Sequence, residues 1–185
     1  MVRRMNVVDY SAEWPTLYEH ELALLREMLG NELVRAHHIG STAVPGLAAK
    51  PVIDILLEVQ SVERLDTFDN VMEQLGYQPH GEFGIPGRRY YPKGGDDRTH
   101  HVHAFAVDDP HIEVHLAFRD YLRVHPASII EYAAVKREAA VVHETDPEGY
   151  VAFKRDFVER TMGKAVHWAD ERRSKDQPGG QEDAA

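Results

Sequence analysis

The sequence predicts an α+β fold: a small mixed β-sheet flanked by helices, with a helical layer toward the C-terminal end. Three observations carry that reading. Short strand patterns (LVRAHHI, PVIDILLEV, RRYYPK and THHVHAFAV) occupy the first part of the chain. Amphipathic helical patterns take over from FRDYLRVH onward. At 185 residues, with 43% hydrophobic and 28% charged residues, the chain has the size and composition of one domain with a sizeable core.

Residues 11 to 29 read as a helix, with Ser11 as cap, Pro15 in the first turn, and Leu17, Leu24, Leu25 and Met28 on one stripe. Gly30 and Asn31 stop it. Residues 33 to 39 form a short strand that runs into Gly40-Ser41, and PVIDILLEV follows as a second strand after a loop. Ser61 caps a helix in which Leu65, Phe68, Met72 and Leu75 share a face, and Gly76 ends it. The segment GYQPHGEFGIPGRRYYPKGGDDR is loop around a strand at RRYYPK. THHVHAFAV is the next strand, and the turn DDPH leads into the alternating IEVHL, a strand by its period. Three helices follow: FRDYLRVH, stopped by Pro126; residues 128 to 143; and a run from Asp146-Pro147 to about residue 168. The domain thus spans 1–168. Residues 169–185, with no apolar anchor, read as a disordered tail.

The composition removes several classes of function. There is no cysteine, which excludes disulfides, thiolate catalysis and thiolate metal sites. A net charge of −10 argues against binding to duplex DNA or anionic membranes. No apolar run is long enough to cross a bilayer, and the N-terminus lacks an apolar signal core, so a cytoplasmic location is expected. Nothing in the sequence sets an oligomeric state.

Chemistry concentrates in a few motifs. Gly40-Ser41 ends a strand, where backbone N–H groups and a hydroxyl can meet a phosphate, or simply turn the chain. Asp54 stands in mid-strand between isoleucines, on the face shared with Leu56 and Glu58. A carboxylate there needs a partner, either a metal or a structural cation. In THHVHAF, His101 and His103 share a strand face, a spacing that lets two imidazoles meet one metal or hydrogen-bond within the sheet. His38 and Glu113 are further candidates. The cations Lys50, Arg88, Arg89, Lys93 and Arg119 lie in or near loops, where they could gather an anion or sit solvated; Arg119 has Asp120 beside it. Lys136 and Lys154 either close the site from the helical layer or lie on its solvated face. Trp14, Phe68, Phe105, Phe118, Tyr132 and Phe157 read as core, and Tyr90 and Tyr91 as core or as a base-stacking pair.

The stretch HHIGSTAVPGLAAKPVIDILLEV resembles the signature of the GrpB family, assigned to the nucleotidyltransferase superfamily. DYSAEWPTLYEHE, GIPGRRYYPK, THHVHAF, AFRDYLRVHP, EYAAVKREAA and YVAFKRDF resemble further family positions in order, over roughly residues 6 to 162. The resemblance implies a nucleotidyltransferase-like core. In active members of that superfamily the Gly-Ser turn holds the triphosphate, and an acidic-x-acidic pair with a third carboxylate binds two divalent cations. Gly40, Ser41 and Asp54 match, but Leu56 stands at the second acidic position. Glu58 shares the face, yet lies about 13 Å along the strand, too far to share an ion.

The resulting expectation is a nucleotide or other phosphorylated small molecule over Gly40, Ser41 and Thr42. Asp54 and Lys50 take the catalytic positions, Asp54, His101 and His103 hold a divalent metal (Mg or Mn first, Zn second), and Arg88, Lys93 and Arg119 neutralise charge. Nucleotidyl or phosphoryl transfer is the expected reaction. The alternatives are a noncatalytic binding or interaction module, since relatives of this domain occur fused to dephospho-coenzyme A kinase, and a His/Asp metal-dependent hydrolase.

Overall fold

The computed structural model describes residues 4–176. Helix α1 (Trp14–Leu29) starts where Pro15 suits the first turn. It buries Trp14, Tyr18, Leu22, Leu25 and Leu29 at three- and four-residue steps. The expected stripe is therefore rotated: Leu17 and Leu24 are 45% and 43% exposed. The two aromatic rings have more apolar surface to bury and set the helix face. Glu13, not Ser11, is the N-cap residue, and the Ser11 hydroxyl accepts from the Glu13 N–H.

Four strands form one mixed sheet: β1 (Leu33–Ile39), β2 (Ile53–Val59), β3 (Arg89–Lys93) and β4 (His100–Ala106), in the order β1-β2-β4-β3. β2 runs antiparallel to β1 and parallel to β4, and β3 pairs antiparallel with β4. The parallel pair needs a crossover, supplied by α2 (Val62–Asp66), α3 (Asp69–Gln74) and β3. Ser61 caps α2 as expected. The single helix expected there is two, because the Thr67 hydroxyl donates to the Arg64 carbonyl and closes the first at that point.

β2 is the centre of the molecule. Ile53, Ile55, Leu57 and Val59 pack with α1, Leu65 and Met72 on one face. On the other face Leu56 meets Ile39, Phe105 and Ile112. That contact corrects the reading of IEVHL, which is not a strand but the start of α4 (Pro110–Val124). Asp109 caps it through the His111 N–H and Pro110 opens its first turn. Ile112 and Leu116, four apart, then serve a helix face as well as an alternating strand would.

α5 (Pro126–Val142), α6 (Pro147–Phe153) and α7 (Arg155–Asp176) form the helical layer. It is two helices, not one, after Asp146, with the break at Lys154. α7 also continues through 169–176, residues the sequence assigned to the tail; 177–185 lie outside the described residues. The layer docks on the chain between β1 and β2, where Val44, Leu47 and Ala48 pack with Leu122, Tyr132 and Phe157. This seats α5 beside the Gly40-Ser41 turn. No helix among the described residues is long and apolar enough to cross a membrane.

Candidate metal and anion site

The parallel register pairs Asp54 with His101 and Leu56 with His103. All three polar side chains point to the α4 face, and α4 covers the sheet at Leu56, while the Asp54 side chain keeps 26% exposure. His101 Nδ1 lies 2.9 Å from Asp54 Oδ1, and His103 Nε2 3.9 Å from the same oxygen. One ligand atom from each of Asp54, His101 and His103 falls within 4.8 Å of the others. Donors sharing an ion at about 2.1 Å stand roughly 3 to 4 Å apart, so a small inward shift of these side chains would let the trio hold a single metal. His101 Nε2 and His103 Nδ1 are buried without hydrogen-bond partners among the described residues, polar capacity that the protein itself does not satisfy.

Electrostatics prepare these groups for a cation. Burial would raise the Asp54 carboxyl, but hydrogen bonds from His101 and His103, with their charge, outweigh it and hold the group well below the usual carboxylate range. Burial pushes His103 down against the pull of Asp54. A carboxylate that stays ionised is the form metal ligation requires, and an arriving cation would take the place of the imidazole protons that now face it.

Ile39 pairs with Asp54 across β1 and β2, which delivers Gly40 onto the carboxylate. At Gly40 φ is +68°, and a Cβ there would sit 2.3 Å from Asp54 Oδ2. Only glycine permits both the conformation and the approach. Thr42, expected to bind phosphate, is instead committed to the fold. Its buried hydroxyl donates to the Val52 carbonyl at 3.3 Å and so accepts from His38 Nε2–H at 3.0 Å. His38 stacks on Tyr18 at 4.9 Å and pins the turn from behind.

Burial brings the His38 imidazole down to about 4. The unfolded chain therefore takes up a proton on this residue first. Stability from His38 is complete above pH ~6.5 and is lost as pH falls toward about 4. The loss is on the order of 3 kcal/mol. His38→Gln is expected to flatten stability between pH 7 and 4.5, read by urea denaturation at each pH; an unchanged slope would place the acid sensitivity elsewhere.

The cations divide sharply. Lys93 lies on the opposite face of the sheet, where its Nζ donates to Glu21 at 2.7 Å, so it is not part of the site. Arg119 is held by Asp120 at 2.7 and 2.9 Å and donates to the His38 carbonyl at 3.2 Å. It ties α4 to the end of β1. Arg89 is paired with Asp66. Arg88 is buried and donates to the Glu82 and Phe83 carbonyls. Lys50 reaches Met5 Sδ at 3.5 Å and the Tyr150 ring of the helical layer at 4.5 Å. Lys154 lies 4.9 Å over the same ring.

Lys136 is the cation that the structure promotes. It is 2% exposed, and its Nζ lies 4.2 Å over the Tyr132 ring with no hydrogen-bond partner among the described residues. Burial first, then the charges of Lys154 and Arg137, bring it down to about 6, against an opposing pull from Asp54. Tyr132, four residues earlier, is pushed up to about 12 by burial and interacts with the Ser41 hydroxyl. Tyr132 thus does more than the core role expected of it. A sequence signal existed: Tyr132, Ala133, Lys136 and Ala139 make up one buried helical stripe, and the lysine is the odd member.

His115 was missed because IEVHL was read as a strand. On α4 its ring lies 5.6 Å from that of His103, and burial takes it down to about 4. Glu113, a further candidate by sequence, pairs with Arg173 at 2.6 Å. Glu58 is occupied by Arg35 and His37, each at 2.6 Å.

Residues 4–164 match the family model described as GrpB protein. Among curated relatives, UPF0157 protein YqkA of Bacillus subtilis (strain 168) is 43% identical over 166 residues, which are 90% of this chain and 48% of that protein. The chain thus spans about half the length of this relative. The crystal structure of conserved protein GrpB from Enterococcus faecalis aligns with a TM-score of 0.85 at 39% identity, covering 89% of this chain and 99% of that one. A cytoplasmic RNA terminal U-transferase aligns at TM-score 0.50 and 13% identity, over 71% of this chain and 42% of that one. This last likeness concerns the fold: the sheet and flanking helices are nucleotidyltransferase-like.

Proposed function

The chain belongs to the GrpB family, and from that premise and the geometry around Asp54 we propose a single-metal site for a nucleotide or other phosphorylated small molecule, suited to transfer or hydrolysis at phosphorus. The observation that carries the reading is the Asp54–His101–His103 trio set directly against Gly40. Two imidazoles and one carboxylate favour Mn, Zn, Fe or Ni over Mg, which prefers oxygen donors. Such an ion, when bound, would polarise a phosphoryl oxygen.

The chain's own groups supply the rest. The turn at Gly40-Ser41 offers backbone N–H groups and a hydroxyl held by Tyr132. Lys136, on α5, would take up a proton as an anion arrives and so supply a charge. Leu56, fully buried against Ile39 and Phe105, offers no ligand atom at the position of a second carboxylate, which argues for one ion and not two. The likeness to the U-transferase supports the fold that carries this site and nothing finer.

Calorimetric titration with Mn²⁺, Zn²⁺ and Mg²⁺, alone and with inorganic tripolyphosphate, tests the reading. The wild type is expected to bind Mn²⁺ or Zn²⁺ and to bind tripolyphosphate more tightly with the metal present. Asp54→Asn should lose metal affinity by at least the roughly 10- to 100-fold that outer-shell changes already cause. A wild type that binds none of these metals at millimolar concentration, or a variant that binds them equally well, would sink it.

A further inference from the structure

The loop leading into β3 presents a largely exposed aromatic ring that the metal chemistry does not use. Phe83 has φ +44°, a region that bulky residues enter only under strain. It is also 62% exposed. Asparagine or glycine would occupy that backbone at lower cost, and a polar side chain would suit the solvent better. The conformation is nevertheless held firmly. Arg88 Nη2–H donates to the Phe83 carbonyl at 2.7 Å, Arg88 Nε–H to the Glu82 carbonyl at 3.2 Å, and the Gly87 N–H to Glu82 Oε1 at 2.7 Å.

The ring is backed as well as held. Phe83 stacks on Tyr90 with centroids 5.1 Å apart and planes 18° from parallel. Tyr90 in turn lies 5.6 Å from the His101 ring and 5.3 Å from the His103 ring. β3 and β1 are opposite edges of the sheet, so this aromatic step approaches the metal trio from the side away from Gly40.

We propose that Phe83, backed by Tyr90, is a stacking platform for the planar heteroaromatic ring of the ligand, a nucleobase or its equivalent, whose phosphate-bearing arm extends to the Asp54–His101–His103 centre. The proposal deepens the site reading above and rests on it for the position of the phosphate. The Arg88 donors described above are spent on loop carbonyls. Those two donors are thus not free to read the edge of a stacked ring, and with the grip on its face different bases should bind alike, as at other aromatic platforms.

Saturation-transfer NMR with adenosine and with cytidine separates the two ideas, because neither probe carries phosphate. Wild-type protein is expected to bind both with similar affinity. Phe83→Ala and Phe83→Asn should weaken both by roughly 5- to 150-fold, and Phe83→Trp should restore binding. Asparagine tolerates positive φ, so its loss of binding cannot be charged to a misfolded loop. In parallel, tripolyphosphate with Mn²⁺ should bind all these variants as it binds wild type. Nucleosides that fail to bind wild type, or that bind Phe83→Ala equally, overturn the platform. Failure of tripolyphosphate and metal to bind wild type overturns the site reading instead, and leaves the nucleoside result to decide the platform by itself.

Discussion

Replacing Lys136 with methionine is expected to stabilise the fold at pH 7 and to weaken polyphosphate binding at least tenfold. The side-chain nitrogen is buried over the Tyr132 ring with no hydrogen-bond partner among the described residues, and burial brings it from the ordinary lysine value of 10.5 down to about 6. Between those two pH values the unfolded chain holds a proton that the folded chain does not. Stability therefore rises with pH across that window and is lowest below about 6. At pH 7 the penalty is on the order of 5 kcal/mol. Methionine keeps the length of the side chain and removes the charge. Its gain in thermal stability should be large at pH 7 and shrink toward pH 10. Equal stability of the two proteins at pH 7 would mean that the lysine is solvated.

The same lysine makes anion binding a proton-linked event. A polyphosphate against Nζ restores the charged form, so binding at pH 8 should take up about one proton. Titrations in buffers of different ionisation enthalpy read this directly, and the buffer dependence should vanish in Lys136→Met. A residue that lowers stability in the empty site and gains its charge with the ligand fits the usual trade between stability and function.

Gly40→Ala is the second large effect. The new Cβ would meet Asp54 Oδ2 at 2.3 Å and Cγ at 2.9 Å, at a φ of +68°. Strain and overpacking together should cost on the order of 3 kcal/mol in urea denaturation. What relaxation there is must displace Asp54 from His101, so Mn²⁺ or Zn²⁺ affinity should fall as well. Gly46→Ala separates the causes. Gly46 also has positive φ, +80°, but nothing lies within 4 Å of its Cβ position. It should show only the strain, roughly 1 to 2 kcal/mol, and leave metal binding intact.

Much of the site could be read from the sequence because its members lie in short, regular segments. Period-two alternation put Asp54 and Leu56 on one strand face and His101 and His103 on another, and the structure keeps both assignments. The pairing of those faces was not legible. It depends on β2 and β4 being parallel neighbours in a register that sets Asp54 beside His101, and such a contact between residues 47 apart leaves no local pattern. The cations show the same limit from the other side. Lys93 and Arg88 come from one loop-and-strand segment, yet the pleat sends Lys93 to Glu21 on the far face and leaves Arg88 to brace its own loop.

The helical half was harder. Five alternating residues at IEVHL satisfy a strand and one helix face alike, and the Asp109-Pro110 start decided for the helix. That choice brought His115 against His103 and carried Glu113 away.

By itself the sequence determined the family, the mixed sheet, the glycine-serine turn and a carboxylate and two imidazoles facing out of their strands, because all of these follow from local spacing and residue chemistry. Tertiary structure alone decided which lysine is buried against Tyr132, the residue that reaches Ser41. Lys136 becomes unusual only when α5 packs on the chain between β1 and β2 and withdraws it from water, and no local pattern encodes what a distant helix will bury.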